Sequence, residues 1–282
     1  MRPAGMVVRL AERRAEGLLR ALGKRAYFAR DIVRGVRDPG TWIPETIRQM
    51  RTIGVESVPL TIIVAAFLGG VTAFQTRYQL FPGVQLSVVG LITRQSIVLE
   101  LGPLLTALVL TGRVGARMTA EIGTMRVTEQ IDALETLAFD PVAYLALPRF
   151  LAGIVMLPVL VVLANTAAII SAWGILVTST DVRTSDFLDG LRLAFTAFQV
   201  VYSLIKAFLF GAAIAFVCSY EGYVTEAGAE GVGRSTALAV VIVPSLLPPF
   251  LCCCCCRCCR LLLPLPLLSL VVTAFPNSTS AA

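Results

Sequence analysis

The 282 residues are 56% hydrophobic and only 15% charged, too apolar for an ordinary soluble domain, so the bilayer is the expected solvent. Lys and Arg outnumber Asp and Glu by 24 to 18, and twelve of the 24 precede residue 52. Histidine is absent, which removes the commonest general base, the commonest metal ligand and every Ser-His or Cys-His nucleophile pair. The two lysines, Lys24 and Lys206, stand in no Gly-rich phosphate-cradling context, so any nucleotide would be bound by a partner. No catalytic, cofactor-binding or metal-binding residue is expected.

The basic N-terminus has two readings, a nucleic-acid arm or an anchor on anionic lipid. No aromatic-rich basic module follows it, so lipid headgroups and cytoplasmic retention are expected and nucleic acid is not. The first 37 residues hold no apolar run long enough for a signal-peptide core. Within them Ala15, Leu18, Leu19, Leu22, Ala26 and Val33 recur at helical spacing until Asp38, Pro39 and Gly40 stop the pattern. A second short helix carries Trp42, Ile43, Ile47, Met50 and Ile53 opposite Arg48 and Arg51. Residues 1–52 thus read as interfacial amphipathic helices.

Residues 55–76 form the first apolar stretch near the ~20 residues that cross a hydrocarbon core of ~30 Å. A polar hairpin with Pro82 and Gly83 leads to a second stretch, about 87–112, which Arg94, Glu100, Gly102 and Pro103 should break or kink. Residues 113–149 read as a polar helical loop. Spans three and four follow at 150–177 and about 191–219, separated by an acidic turn at 181–189, and a second polar loop at 220–235 precedes a final apolar segment. The pattern predicts an all-α, polytopic membrane protein with about five transmembrane helices. A basic N-terminus in the cytoplasm puts both polar loops inside.

From Glu100 to Pro103, from Gly112 to Gly115 and from Ala120 to Leu134 the sequence resembles the MlaE/YrbE permease family. The likeness continues at Asp140 and Pro141, at Leu147 to Arg149 and at Gly228 to Arg234, and covers roughly residues 45–243. Gly54, Ser57, Pro59 and Gln75 fit the family's first span. The resemblance implies a homodimeric permease subunit of an ABC transporter that moves phospholipid between membranes. It also implies two partners, a cytoplasmic ABC ATPase and an MCE-domain lipid-binding protein. The location so implied is the inner (plasma) membrane, or the chloroplast inner envelope for a plant or algal source.

The residues admit a physical reading beside that one. Glu121, Glu129, Asp132 and Glu135, interleaved with Met125, Gln130 and Leu134, form a mixed face suited to docking on a partner, a cytoplasmic coupling helix for the ATPase. The plainer reading is a solvated, charge-laced loop. Glu100 and Lys206 lie inside apolar spans, where an ionisable group is costly unless it faces a cavity or a partner. With Gln75 and Pro103 they are candidates for lining a lipid path. The family often has a basic residue just before that glutamate; Leu99 stands here, leaving Arg94 or Lys206 as its possible counter-ion. The short loop Gly228 to Arg234 reads as a dimer contact or a simple turn.

Residues 53–243 form the permease-like domain, and from Pro244 the resemblance stops. Pro244, Pro248 and Pro249 should break a fifth span, and seven of the eight cysteines crowd into Cys252 to Cys259, a divergent or frameshifted end at 244–282. Two other function classes compete. An ion-coupled secondary transporter would want several intramembrane carboxylates and a repeated half. A membrane lipid-modifying enzyme would want clustered His or Asp ligands.

Overall fold

The computed structural model describes residues 23–36, 39–81, 83–137, 140–225 and 228–255. The first half of the N-terminal amphipathic pattern and the cysteine run beyond Cys255 lie outside the described residues. Among the described residues the chain is helical throughout and contains no strand. In hydrocarbon no water is present to satisfy backbone groups, so apolar segments of this length close their hydrogen bonds within a helix.

Helix α1 covers residues 23–35 and α2 runs Pro39–Ile53. A short 3-10 turn, Val55–Ser57, leads directly into α3, Val58–Gln79. The second span is one uninterrupted helical segment rather than a broken one. It comprises α4 (Ser87–Gln95), a π-helical turn (Ser96–Leu101), α5 (Gly102–Leu110), a second π turn (Thr111–Gly115) and α6 (Ala116–Val127). Helical structure continues through Pro103, and a π turn stands on either side of α5 where the sequence suggested a break or kink.

Helix α7 (Gln130–Thr136) is a short tip, and α8 (Pro141–Ser179) returns as a 39-residue helix about 58 Å long. Its start is set locally: Asp140 accepts from the N–H groups of Val142 and Ala143, and Pro141 occupies the first turn. Helices α9 (Thr184–Arg192), α10 (Ala197–Tyr223) and α11 (Ala229–Cys255) complete the described chain.

Among the described residues four segments are long and apolar enough to cross a membrane, Trp42–Gln79, Ser87–Val127, Pro141–Ser179 and Ala197–Tyr223. The expected fifth span, α11, is not among these four; it is a 27-residue helix packed on α10 and α6. It runs on through Pro244, Pro248 and Pro249 rather than breaking there. Proline's fixed φ is helical, so each one removes a single backbone bond without ending the helix.

The expected polar loops shrink accordingly. The 113–149 segment is mostly an extension of the second span and the beginning of α8. Of the 220–235 segment, α10 takes residues up to Tyr223 and α11 those from Ala229, and within Gly228–Arg234 only Gly228 is left-handed (φ 103°). The acidic turn at 181–189 is largely helix α9.

Small residues set the packing. A side chain on Gly69 would strike the Ala168 backbone, so α3 and α8 touch closely side by side. Gly211 on α10 faces Gly153 and Leu157 on α8 in the same way. Such stripes let helices approach where lipid offers no hydrophobic driving force. The main core, including Leu110, Ile122, Ile131, Leu157 and Phe210, joins α2, α5 to α8, α10 and α11. A second cluster docks Phe28 and Ile32 of α1 onto α8 and α10, so that face of α1 packs on protein while Ala26 and Val33 stay exposed.

Candidate functional site

Two polar regions stand out from the apolar bundle. The first lies inside the spans, where α10 and the second span run side by side. Lys206 on α10 is only 1% exposed, and its Nζ donates to Glu100 Oε1 at 3.1 Å and to the Leu99 carbonyl at 2.9 Å. Its ammonium also lies 4.5 Å from the centre of the Tyr202 ring, one turn earlier on the same helix. Of the two counter-ions the sequence left open for Glu100, the structure selects Lys206. Lys206 is nine residues from the start of α10, about 14 Å along its axis, well inside a hydrocarbon layer of about 30 Å.

Arg94 serves elsewhere. It donates to the carbonyls of Leu193 and Ala194, just past the end of α9, and stacks 5.3 Å over Phe195. Pro103 is buried beside Glu100 at the first turn of α5, and Gln75 stands on the exposed face of α3. The arrangement offers a buried cation and a half-exposed carboxylate in an apolar wall.

The second region is at the basic end of the bundle. Glu121 is held within the chain, with Oε1 accepting from Arg117 Nε at 2.8 Å and Oε2 from Arg149 Nη2 at 3.3 Å. Arg117 also reaches Glu56 at 2.8 Å, which ties α6 to the foot of α3. Beyond this knot the chain turns at Glu129, whose backbone is left-handed (φ 57°), and enters α7.

Glu129, Gln130, Asp132 and Glu135 are exposed on that tip, with Asp132 bonded to Arg126 at 2.7 Å. Met125 and Leu134 are half-buried on the main core. Together with Gln130, Ile131 and Leu137 of the tip and Tyr144 and Leu145 of α8, they border an apolar cavity of about 330 Å³. Glu121 therefore sits apart from the other six residues of the predicted docking face.

Sequence reasoning missed Tyr202, Glu56 and the Leu99 carbonyl. Tyr202 was legible as an aromatic four residues before Lys206 on one helix face. The Leu99 carbonyl, a backbone group, carries no signal of its own in the sequence.

Residues 46–247 match the family model described as Permease MlaE, which is more than half of the chain. The chain belongs to the MlaE permease family. Relatives agree over most of their length. A probable ABC transporter permease protein of Rickettsia bellii is 35% identical over 229 residues, 79% of this chain and 86% of the relative. A probable ABC transporter permease protein of Synechocystis is 39% identical over 198 residues, 70% and 74% of the two chains. The intermembrane phospholipid transport system permease protein MlaE of Haemophilus influenzae is 30% identical over 226 residues, 79% and 85% respectively. The match ends at residue 247, close to the point where the sequence turns proline- and cysteine-rich.

Proposed function

We propose that this chain is the permease subunit of an ABC transporter that moves phospholipid between membranes, energised by a separate cytoplasmic ATPase. The observation that carries the reading is the Lys206–Glu100 pair, an ion pair kept inside apolar helices with its carboxylate half open. A charge at a span's centre costs about 3 kcal/mol on insertion scales, so its retention there calls for a polar cargo or a structural need. A phospholipid supplies the cargo: its phosphate suits the ammonium and its chains suit the wall. The name of the Haemophilus influenzae relative points to the same substrate.

The α7 tip is the surface through which the ATPase drives the bundle, with Glu129, Asp132 and Glu135 as its acidic rim and Met125 and Leu134 as its apolar floor. The lipid path includes Glu100, Lys206, Pro103 and Gln75. A homodimer, an MCE-domain partner on the opposite side and residence in an inner or envelope membrane complete the reading. The test is to purify the chain in detergent and identify bound proteins and lipids by mass spectrometry, comparing wild type with Glu100→Ala and Lys206→Ala. Co-purification of an ATPase and loss of phospholipid in both variants are expected. A chain that binds no ATPase, or variants that retain lipid unchanged, would refute it.

A further inference from the structure

A third polar cluster caps the end of the bundle opposite the Arg117–Glu121–Arg149 knot. Helices α3 and α8 both finish there, at Gln79 and Ser179, and Arg77, Tyr78, Ser179, Thr180 and Asp181 line a cavity of about 270 Å³. The 22 residues of α3 rise about 33 Å, so the cavity lies one hydrocarbon thickness from the helix's foot, at the level of lipid headgroups. Arg77 Nε is buried without a hydrogen-bond partner, and no hydrogen bond or ion pair among the described residues engages the guanidinium. Asp181 lines the same cavity, yet among the described residues the two opposite charges form no ion pair.

The surroundings favour charge of both signs. Arg77 offers donors to an anion, in the geometry that suits a phosphate. The last carbonyls of α3 and α8 are the negative ends of two helix dipoles, and with the Asp181 carboxylate they favour a cation. The Tyr78 ring, 74% exposed, adds an aromatic face against which an ammonium can rest. A simple anion would be repelled by Asp181 and both carbonyl ends, whereas a group carrying both charges matches the whole lining. Toward the middle of the span Phe67, Val71, Phe74 and Tyr78 recur on one exposed face of α3, an apolar stripe that leads to the cavity's rim.

We propose that this cavity binds the headgroup of a zwitterionic phospholipid of the phosphoethanolamine class. Its phosphate sits on Arg77, its ammonium between Asp181 and the Tyr78 ring, and its acyl chains along the α3 stripe. The site shares no residue with the Lys206–Glu100 pair, so the two readings fail separately.

The test places the full chain in phosphatidylglycerol nanodiscs with a trace of phosphatidylethanolamine or of phosphatidylglycerol carrying a diazirine in one acyl chain. Phosphatidylglycerol keeps the phosphate and lacks the ammonium. After irradiation, mass spectrometry measures labelling of the α3 peptide that carries Phe67 to Tyr78. The phosphatidylethanolamine probe should label it about tenfold more than the phosphatidylglycerol probe. Arg77→Gln should lower phosphatidylethanolamine labelling by about tenfold, with Arg77→Lys in between because it keeps the charge without the fork. Asp181→Asn should bring the two probes to near equality, and as an exposed position it serves should Arg77→Gln not assemble. Arg183→Gln removes an exposed cation at the same end that does not line the cavity, and should change neither probe. Equimolar free phosphoethanolamine should not displace the lipid, since it lacks the chains that the stripe holds.

Equal labelling by the two probes in the wild type, or labelling unaltered in both Arg77→Gln and Asp181→Asn, would overturn the proposal. So would displacement by free phosphoethanolamine, which would make the ligand a soluble molecule. Because labelling requires neither transport nor ATPase, each of these results would leave the lipid-path reading of Glu100 and Lys206 standing. Unaltered phospholipid retention in Glu100→Ala would remove that reading alone.

Discussion

Arg149 of α8 and Glu121 of α6 meet at 3.3 Å at the basic end of the bundle, and the arginine side chain is 6% exposed. Arg149 also donates to the Leu145 carbonyl on its own helix, so Glu121 is its link to the neighbouring span. With Arg117 and Glu56 the pair forms a four-charge knot that fixes α6 against α8 and the foot of α3.

Glu121→Ala should therefore behave as a stability variant. Removing one partner of a fully buried pair costs about 3–5 kcal/mol, and the cost here should be nearer 2 because Glu121 is a third exposed. Thermal unfolding in detergent should show a lower midpoint for Glu121→Ala, with Glu121→Gln in between because it keeps an acceptor. An unchanged midpoint in both would mean that the knot does not hold the helices.

Charge reversal on the exposed tip should have the opposite profile. Glu129→Lys and Asp132→Lys remove at most one surface ion pair, the Arg126–Asp132 contact, worth less than about 1 kcal/mol. Their unfolding midpoints should stay near wild type while lipid-stimulated ATPase turnover in the reconstituted complex falls by tenfold or so, a loss of about 1.4 kcal/mol of coupling. Lipid-stimulated turnover at the wild-type level would show that the tip does not carry the coupling.

Why Glu121 parts company with Glu129 and Asp132 is a matter of distance along the chain. All three look alike in sequence, as acids spaced among apolar residues. The first four spans and their order were legible because hydropathy reports directly on the solvent, whereas the expected fifth, α11, is not among the segments long and apolar enough to cross. The lengths were not legible, because a helix can run past the hydrocarbon with charged residues on it: α6 continues to Val127, and its Glu121 is tied to Arg149 of α8. Lys206 was recognisable as a buried charge, but the choice between Arg94 and Lys206 for Glu100 needed the side-by-side register of α10 with the second span. The fate of Arg94 depended on α9, a helix that the sequence presented as an acidic turn.

Gly69 and Gly112 offer a paired test of the packing. A Cβ at Gly69 would collide with the Ala168 backbone, which cannot move without parting α3 from α8, whereas at Gly112 nothing lies within 4 Å. Gly69→Ala should lower the unfolding midpoint or the yield of folded protein, by about 1–3 kcal/mol in stability. Gly112→Ala should be neutral or slightly stabilising, since alanine is the better helix former. Equal behaviour of the two variants would refute the close approach of α3 and α8.

Arg94 makes the last case, because it supports a turn that its own backbone does not favour. Ala194 is left-handed (φ 51°), a conformation that costs an L-residue roughly 1–2 kcal/mol, and it joins α9 to α10. Arg94 bonds the Leu193 and Ala194 carbonyls there, where a cation also complements the end of the helix dipole. Arg94→Ala should raise hydrogen exchange of the amides between residues 193 and 199 by about tenfold, with little change in α3 or α8. Arg94→Lys keeps the charge without the planar stack on Phe195 and should fall between. Ala194→Gly removes the strain and should restore slow exchange when combined with Arg94→Ala. If the glycine fails to restore it, the arginine acts on something other than the turn, and exchange rates unaltered in Arg94→Ala would show that the turn holds itself.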